Sequence, residues 1–211
     1  FYFYYMLTDL YLQFLSIATL HLFAVMSPGP DFALIVRQGL YYNRKTAIIT
    51  SIGIGVGILF HIFYCIIGLG IIISKHIFIF NIIKISGALY FIFLGLRSLI
   101  EKSKIEIGVD NSKKRDSINS FLTGLLTNIL NPKATLFFLS LYTFIINEQP
   151  SLKIQIFYGI WMSLITGLWF CFLSVILTNK SILNRINKFL HVIQIGTGAM
   201  LIAIGIKLLL N

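Results

Sequence analysis

Long apolar stretches separated by short polar segments dominate the chain. A membrane-spanning helix needs about 20 apolar residues. Strands of a membrane barrel would instead alternate apolar and polar positions in short segments. We find six stretches of sufficient length, at about 10–40, 46–73, 77–98, 118–146, 154–177 and 189–210. The pattern therefore predicts an all-α, polytopic membrane protein with six transmembrane helices.

One polar stretch, 99–117, divides the predicted spans into two groups of three. It holds four of the seven acidic residues and five of the seventeen basic residues. We expect a first three-helix repeat at 1–98, a cytoplasmic linker at 99–117 and a second three-helix repeat at 118–211. Because each group has an odd number of spans, the repeats must be inverted in the bilayer, an architecture that recurs in secondary transporters.

Internal similarity supports two related halves. Pro28 and Gly55 are separated by the same number of residues as Pro132 and Gly159. Small residues also recur within the spans, where helices must approach closely. Examples are Gly53, Gly55 and Gly57 in the second span, and Gly159, Ser163 and Gly167 in the fifth.

The first and fourth predicted spans are each interrupted by a proline motif. The first motif is Ser27-Pro28-Gly29-Pro30-Asp31, and the second is Asn131-Pro132-Lys133. Proline removes a backbone donor and disfavours helical geometry in the residue before it. Both motifs lie roughly 15–20 Å from the cytoplasmic ends of their spans, near the bilayer centre. Broken backbone survives at that depth only when it is buried in protein or lines a wet cavity, so two matching breaks favour a binding site over plain kinks.

Two charged residues accompany the breaks. Asp31 is the only acid well inside a span, and Lys133 is the only base near mid-membrane. Since isolated charges there are costly, we expect the two side chains to face the interior and approach each other. Asp31 would receive an ammonium group or a proton, and Lys133 with the backbone N–H groups near Pro30 would receive a carboxylate. A structural ion pair between the halves is the equally weighted alternative.

Neighbouring polar residues extend this hypothesis. Asn128 lies one turn before the second break and shares its wall, while Asn131 is a candidate cap for the helix that follows. His21 and His61 lie within the first two spans and are candidate proton relays, although an intramembrane histidine more often bonds a backbone carbonyl.

Composition and charge agree with a membrane protein. The chain is 57% hydrophobic and only 11% charged, against about a quarter charged in a soluble domain. The net charge of +10 does not indicate nucleic-acid binding, because the basic residues flank apolar stretches. Twelve of them fall in the three odd-numbered connections and four on the other side. This bias places those connections in the cytoplasm and both termini outside.

Other chemistry is weakly indicated. Cys65 and Cys171 lie in apolar stretches without metal-ligand spacing, so neither a metal site nor a cofactor is expected. The segment 7–25 is not expected to be a secretory signal, because no Lys or Arg precedes Arg37. Met6 is a candidate native start.

The motifs together resemble the lysine exporter (LysE/RhtB) family of translocators. The matching elements occur in order along nearly the whole chain: Met26 to Asp31, Gly53-x-Gly55-x-Gly57, Gly87-Ala88-Leu89-Tyr90 with Leu94-Gly95, and Asn131 to Ala134. The resemblance implies a homodimeric carrier that exports amino acids or related metabolites from the cytoplasm across a bacterial inner membrane in exchange for protons. It points to Pro28, Gly29, Pro30, Asp31, Asn131, Pro132 and Lys133 as the functional positions.

Three rival functions remain open at this point. A metal-ion exporter of related architecture would need clustered Asp, Glu, His or Cys within the spans. An enzyme would need convergent nucleophile and base groups, and no such set is visible. A passive channel is not distinguished from a carrier by sequence. The residues do not name the substrate among the amino acids.

Overall fold

The computed structural model describes residues 2–75, 77–100, 116–147 and 151–177, together with scattered positions from 192 to 210. This part of the chain is helical apart from short connections and contains no strand, so the all-α prediction is confirmed for it. The helices are α1 (Tyr2–Met26), α2 (Pro30–Tyr41), α3 (Arg44–Lys75), α4 (Ile77–Ile100), α5 (Ser117–Ile129), α6 (Pro132–Asn147) and α7 (Leu152–Leu177).

Two of these helices are long and apolar enough to cross a membrane alone, namely α3 over Arg44–Gly68 and α7 over Leu152–Ile176. Helices α1 and α2 are long and apolar enough only when taken together. They make a third span if the 53° bend between them is a break within one span. The predicted fourth span is likewise divided, into α5 and α6. The predicted sixth span and the interior of the predicted linker lie largely outside the described residues.

Helix α3 occupies the centre of the bundle and packs against α2, α4, α5, α6 and α7. Its contact with α5 depends on two glycines. A Cβ atom on Gly53 would lie 2.9 Å from the backbone nitrogen of Leu125, and one on Gly124 would lie 3.1 Å from that of Ile54. Thr50 adds a hydrogen bond, because its hydroxyl donates to the Ser120 carbonyl at 3.1 Å. The backbones therefore meet directly, as small residues allow in membrane helices.

The opposite side of α3 packs as closely against α7. A Cβ atom on Gly55 would lie 3.0 Å from the Cα atom of Gly167. The Ser163 hydroxyl donates to the Gly55 carbonyl at 2.7 Å, and the hydroxyls of Ser51 and Ser174 are 3.0 Å apart. The packing role expected for the glycine and serine positions of these spans is confirmed here.

The outer surface of the bundle is as apolar as its core. Large side chains such as Phe63, Leu164 and Leu168 are more than 60% exposed, whereas Phe91, Tyr142 and Met162 are fully buried in one central cluster. Exposed apolar surface on this scale would be unfavourable in water but matches lipid acyl chains. The described part of the chain therefore has the apolar exterior of a membrane protein, and polar side chains such as His21, Asn128 and Ser140 are buried inside it.

The α3–α5 contact gives a stability prediction. Gly124→Ala would force a methyl group against the Thr50 carbonyl, and we expect it to lower the stability by about 2 kcal/mol and the unfolding temperature by roughly 5 °C. Thermal unfolding of the purified protein in detergent measures the change. Gly68→Ala is the matched control on α3, because no atom of another described helix lies within 4 Å of the added atom. Equal unfolding temperatures for the two variants would contradict the close contact.

Candidate functional site

The first break separates α1 from α2 in the middle of the predicted first span. Helix α1 ends at Met26, and α2 begins at Pro30, where a missing N–H does no harm. Gly29 precedes it in extended geometry, with φ of −174°, and its carbonyl accepts the first hydrogen bond of α2 from Ala33. The carbonyls of Ser27 and Pro28 lie between the end of α1 and the start of α2, where regular helical hydrogen bonding is interrupted.

The second break has the same construction. Helix α5 ends at Ile129 and α6 begins at Pro132. The Asn131 side chain caps α6, since its Oδ1 accepts the Lys133 backbone N–H at 3.0 Å. The capping role predicted for Asn131 is confirmed.

Lys133 links the second break to the first. Its Nζ donates to the carbonyls of Ser27 and Pro28, at 3.2 and 3.1 Å. Gly29 makes room for this side chain, because a Cβ atom there would lie 3.1 Å from Nζ. A cation from one half of the chain thus satisfies the backbone opened by the prolines of the other half.

Asp31 receives two amide donors from the second break. Its Oδ2 accepts from Asn128 Nδ2 at 2.9 Å and from Asn131 Nδ2 at 3.1 Å. Its Oδ1 is buried and has no hydrogen-bond partner within the described ranges. Buried carboxylate oxygens are normally partnered, so Oδ1 calls for an explanation.

These residues surround a cavity of about 60 Å³. The predicted positions Gly29, Asp31, Asn128, Asn131 and Lys133 line it, whereas the three prolines form the breaks without lining it. Apolar side chains, chiefly phenylalanine, isoleucine and leucine, form much of the remaining wall. The cavity thus combines a polar end at the breaks with an apolar body, as small-molecule sites usually do.

The two candidate histidines differ in position. His21 is fully buried and lines the cavity. His61 does not line it, and both of its ring nitrogens are hydrogen-bonded: Nε2 to the Asn128 carbonyl at 3.0 Å and Nδ1 to the Tyr64 hydroxyl at 2.7 Å. One turn earlier on α3, Gly57 lies against the Asn128 side chain. His61 and Gly57 therefore contact Asn128 from α3 and fix its position.

Thr166 is a cavity residue that sequence reasoning missed. It lies on α7, is nearly fully buried, and its Oγ1 is 3.0 Å from His21 Nε2. Its burial could have been predicted from its position beside the small residues Ser163 and Gly167, because a face with small residues packs against other helices. Nothing in the spacing indicated that it would meet α1.

Comparisons with known proteins match the chain to one family and to several relatives. The model of the family described as LysE type translocator matches residues 22–211. An uncharacterized membrane protein YrhP of Bacillus subtilis is 33% identical over 87% of this chain and 91% of its own length. A threonine efflux protein of Escherichia coli K12 is 29% identical over 94% and 98%, and a leucine efflux protein of Klebsiella pneumoniae is 22% identical over 84% and 83%. No solved structure matches at a significant level.

The Lys133 bridge gives a second stability prediction. Lys133→Met keeps the length of the side chain but removes the donor to the Ser27 and Pro28 carbonyls. Because hydrogen bonds to charged groups are strong, we expect a loss of about 2 kcal/mol, seen as a lower unfolding temperature in detergent. Lys153→Met, on the exposed start of α7, is the control and should change little. An unchanged unfolding temperature for Lys133→Met would show that the bridge does not hold the breaks together.

Proposed function

The chain belongs to the LysE type translocator family, and from that premise we propose that it exports small zwitterionic amino acids across a bacterial inner membrane by proton antiport. Relatives named for threonine and leucine efflux make these two amino acids the first substrates to test. The cavity at the two breaks is the proposed binding site, with Pro28, Gly29, Pro30, Asp31, Asn128, Asn131, Pro132 and Lys133 as its components.

The observation that carries the proposal is Oδ1 of Asp31, which has no hydrogen-bond partner in the described part of the chain and belongs to a residue at the polar end of the cavity. Two amides hold the other oxygen in place, so the position of the carboxyl group is fixed. An ammonium group supplies the donors that this oxygen lacks, in a charge-assisted hydrogen bond. The Asn128 side chain is oriented for this role, because its Oδ1 lies against Gly57 on α3 while its Nδ2 donates to Asp31.

The substrate carboxylate has complementary groups nearby. Lys133 supplies a positive charge, and the amino end of α2 supplies a partial one. A zwitterion therefore finds an anion and a cation in the same cavity. A molecule with only an ammonium group or only a carboxylate would complement one of these two charges and leave the other without a partner of opposite charge.

We assign proton coupling to Asp31, because its carboxyl would bind either a proton or the ammonium group of the substrate. Binding of one would then require release of the other. His21, on the cavity wall, and His61, bonded to Asn128, are the candidate relay groups of the proposal. His61 already uses both ring nitrogens within the described part of the chain, which makes His21 the better placed of the two.

The full architecture is also part of the proposal. We infer six spans in two inverted three-helix repeats, 1–98 and 118–211, joined by a cytoplasmic linker at 99–117, with both termini outside and a homodimer as the assembly. The matched construction of the two breaks, each ending before a helix that begins at proline, supports related halves.

A metal-ion exporter and a passive channel are the alternatives. A metal exporter needs a group of ligating side chains, and the described residues hold no group of three or more His, Cys, Asp or Glu suited to a metal ion. A channel would give export that does not depend on the proton gradient. The zwitterion carrier is therefore better supported than the metal exporter, and dependence on the proton gradient is the property that separates it from a channel.

Export is tested by loading cells with labelled threonine or leucine, with and without this chain, and following the label retained. We expect faster loss of label when the chain is present, and a proton uncoupler should abolish the difference. Retention that is the same with and without the chain would refute export of these amino acids. Export that resists the uncoupler would refute proton antiport alone.

Asp31→Asn tests the proposed carrier group in the same assay. The amide preserves size but cannot carry the charge or the exchangeable proton, so we expect a loss of at least tenfold in the rate of proton-coupled export. Asp116→Asn, on the exposed residue before α5, is the matched control and should export normally. Full proton-coupled export by Asp31→Asn would remove Asp31 from the mechanism.

A charge swap separates binding from a purely structural role of the pair. The double variant Asp31→Lys with Lys133→Asp keeps opposite charges in the cavity but exchanges their positions. If the pair binds substrate, the swap should stay inactive, because the ammonium and carboxylate ends would meet like charges. Full recovery of export relative to the single variants would instead favour a structural ion pair.

A further inference from the structure

A second polar feature of the cavity lies away from the breaks, between α1 and α7. His21 and Thr166 both line the cavity and are almost completely buried. Their side chains are joined by the 3.0 Å contact between Thr166 Oγ1 and His21 Nε2. The other ring nitrogen, Nδ1, is buried and has no hydrogen-bond partner among the residues that the structure describes. A buried polar atom without a hydrogen-bond partner calls for an explanation, and a role of Nδ1 in binding a ligand would provide it.

The surroundings of this pair are otherwise apolar. The His21 ring packs against the rings of Phe137, Phe138 and Trp161, with centroid distances of 6.4, 6.2 and 5.7 Å. Ile58, Leu94 and Leu201 line the cavity as well. A group bound here would meet hydrocarbon on most sides and a single polar spot, so a short side chain with one polar atom fits better than a charged or a wholly apolar one.

The size of the cavity matches a small amino acid. His21 and Asp31 line the same cavity, so a single bound molecule would contact both groups. A cavity of about 60 Å³ has room for roughly five water-sized groups, which also favours a short side chain.

We infer that His21 and Thr166 form the side-chain subsite and select small amino acids that carry a hydroxyl group. This inference rests on the proposed function. In a neutral ring, one nitrogen donates and the other accepts, so Nδ1 is a donor in one tautomer and an acceptor in the other. A hydroxyl group both donates and accepts, and it satisfies Nδ1 in either case. A methyl group in its place leaves Nδ1 unpartnered, which disfavours the aliphatic analogue.

Threonine and valine provide the test, because they have the same shape and differ by a hydroxyl against a methyl. Initial rates of uptake of each labelled amino acid, at low concentration, are measured in inside-out membrane vesicles that contain the full chain. We expect the wild-type chain to transport threonine about tenfold faster than valine. His21→Leu and Thr166→Val should bring this ratio toward one, mainly by slowing threonine, whereas Thr166→Ser should preserve it.

Thr143→Val is the matched control. Thr143 is fully buried on α6, its hydroxyl donates within its own helix, and it is not among the residues lining the cavity. It should leave the ratio unchanged, and immunoblots with unfolding temperatures confirm that each variant is present and folded. If His21 served only as a proton relay, His21→Leu would slow both amino acids equally and keep the ratio, which would overturn the subsite.

The other outcomes also decide the question. Equal wild-type rates for threonine and valine, or a preference that survives both His21→Leu and Thr166→Val, would overturn the subsite while leaving amino-acid export standing. Wild-type vesicles that accumulate none of threonine, valine, leucine or alanine above control vesicles would refute the proposed function, and the subsite with it.

Discussion

The structure depends on one constraint: a helix that breaks inside a membrane must find partners for its freed backbone groups within the protein. Here the partners come from across the bundle. Lys133, at the start of α6, donates to two carbonyls of the first break, and the Asn131 side chain caps the helix after the second. Because these bonds bring the two breaks together, they also place Asp31 beside Asn128 and Asn131. The cavity follows from the same contacts that make the breaks tolerable.

Much of this arrangement could be predicted from the residues themselves. Pro28, Pro30 and Pro132 must interrupt helices, since proline has no N–H to donate. Asp31 and Lys133, as charges in apolar stretches, had to face inward. Together, these two arguments predict the positions of both breaks and the polar end of the cavity. The family resemblance was confirmed by the match over residues 22–211.

The remaining contacts could not be predicted, for a physical reason. A helix that is apolar on all sides does not reveal which face is buried, because lipid and core are equally apolar. The meeting of His21 with Thr166 therefore had no signal in either helix, and nor did the support of Asn128 by Gly57 and His61. The glycines of α3 were recognisable as packing positions, but their partners on α5 and α7 depended on helix rotations that only the structure provides.

The Lys133 bridge has a consequence for a carrier of the proposed kind. The Lys133 ammonium donates to two neutral carbonyl oxygens of the chain's own backbone, whereas a substrate carboxylate would offer oxygens that also carry negative charge. In a carrier of the proposed kind, the backbone oxygens would solvate this cation whenever no carboxylate lies beside it. They would thereby lower the electrostatic cost of changing conformation without substrate.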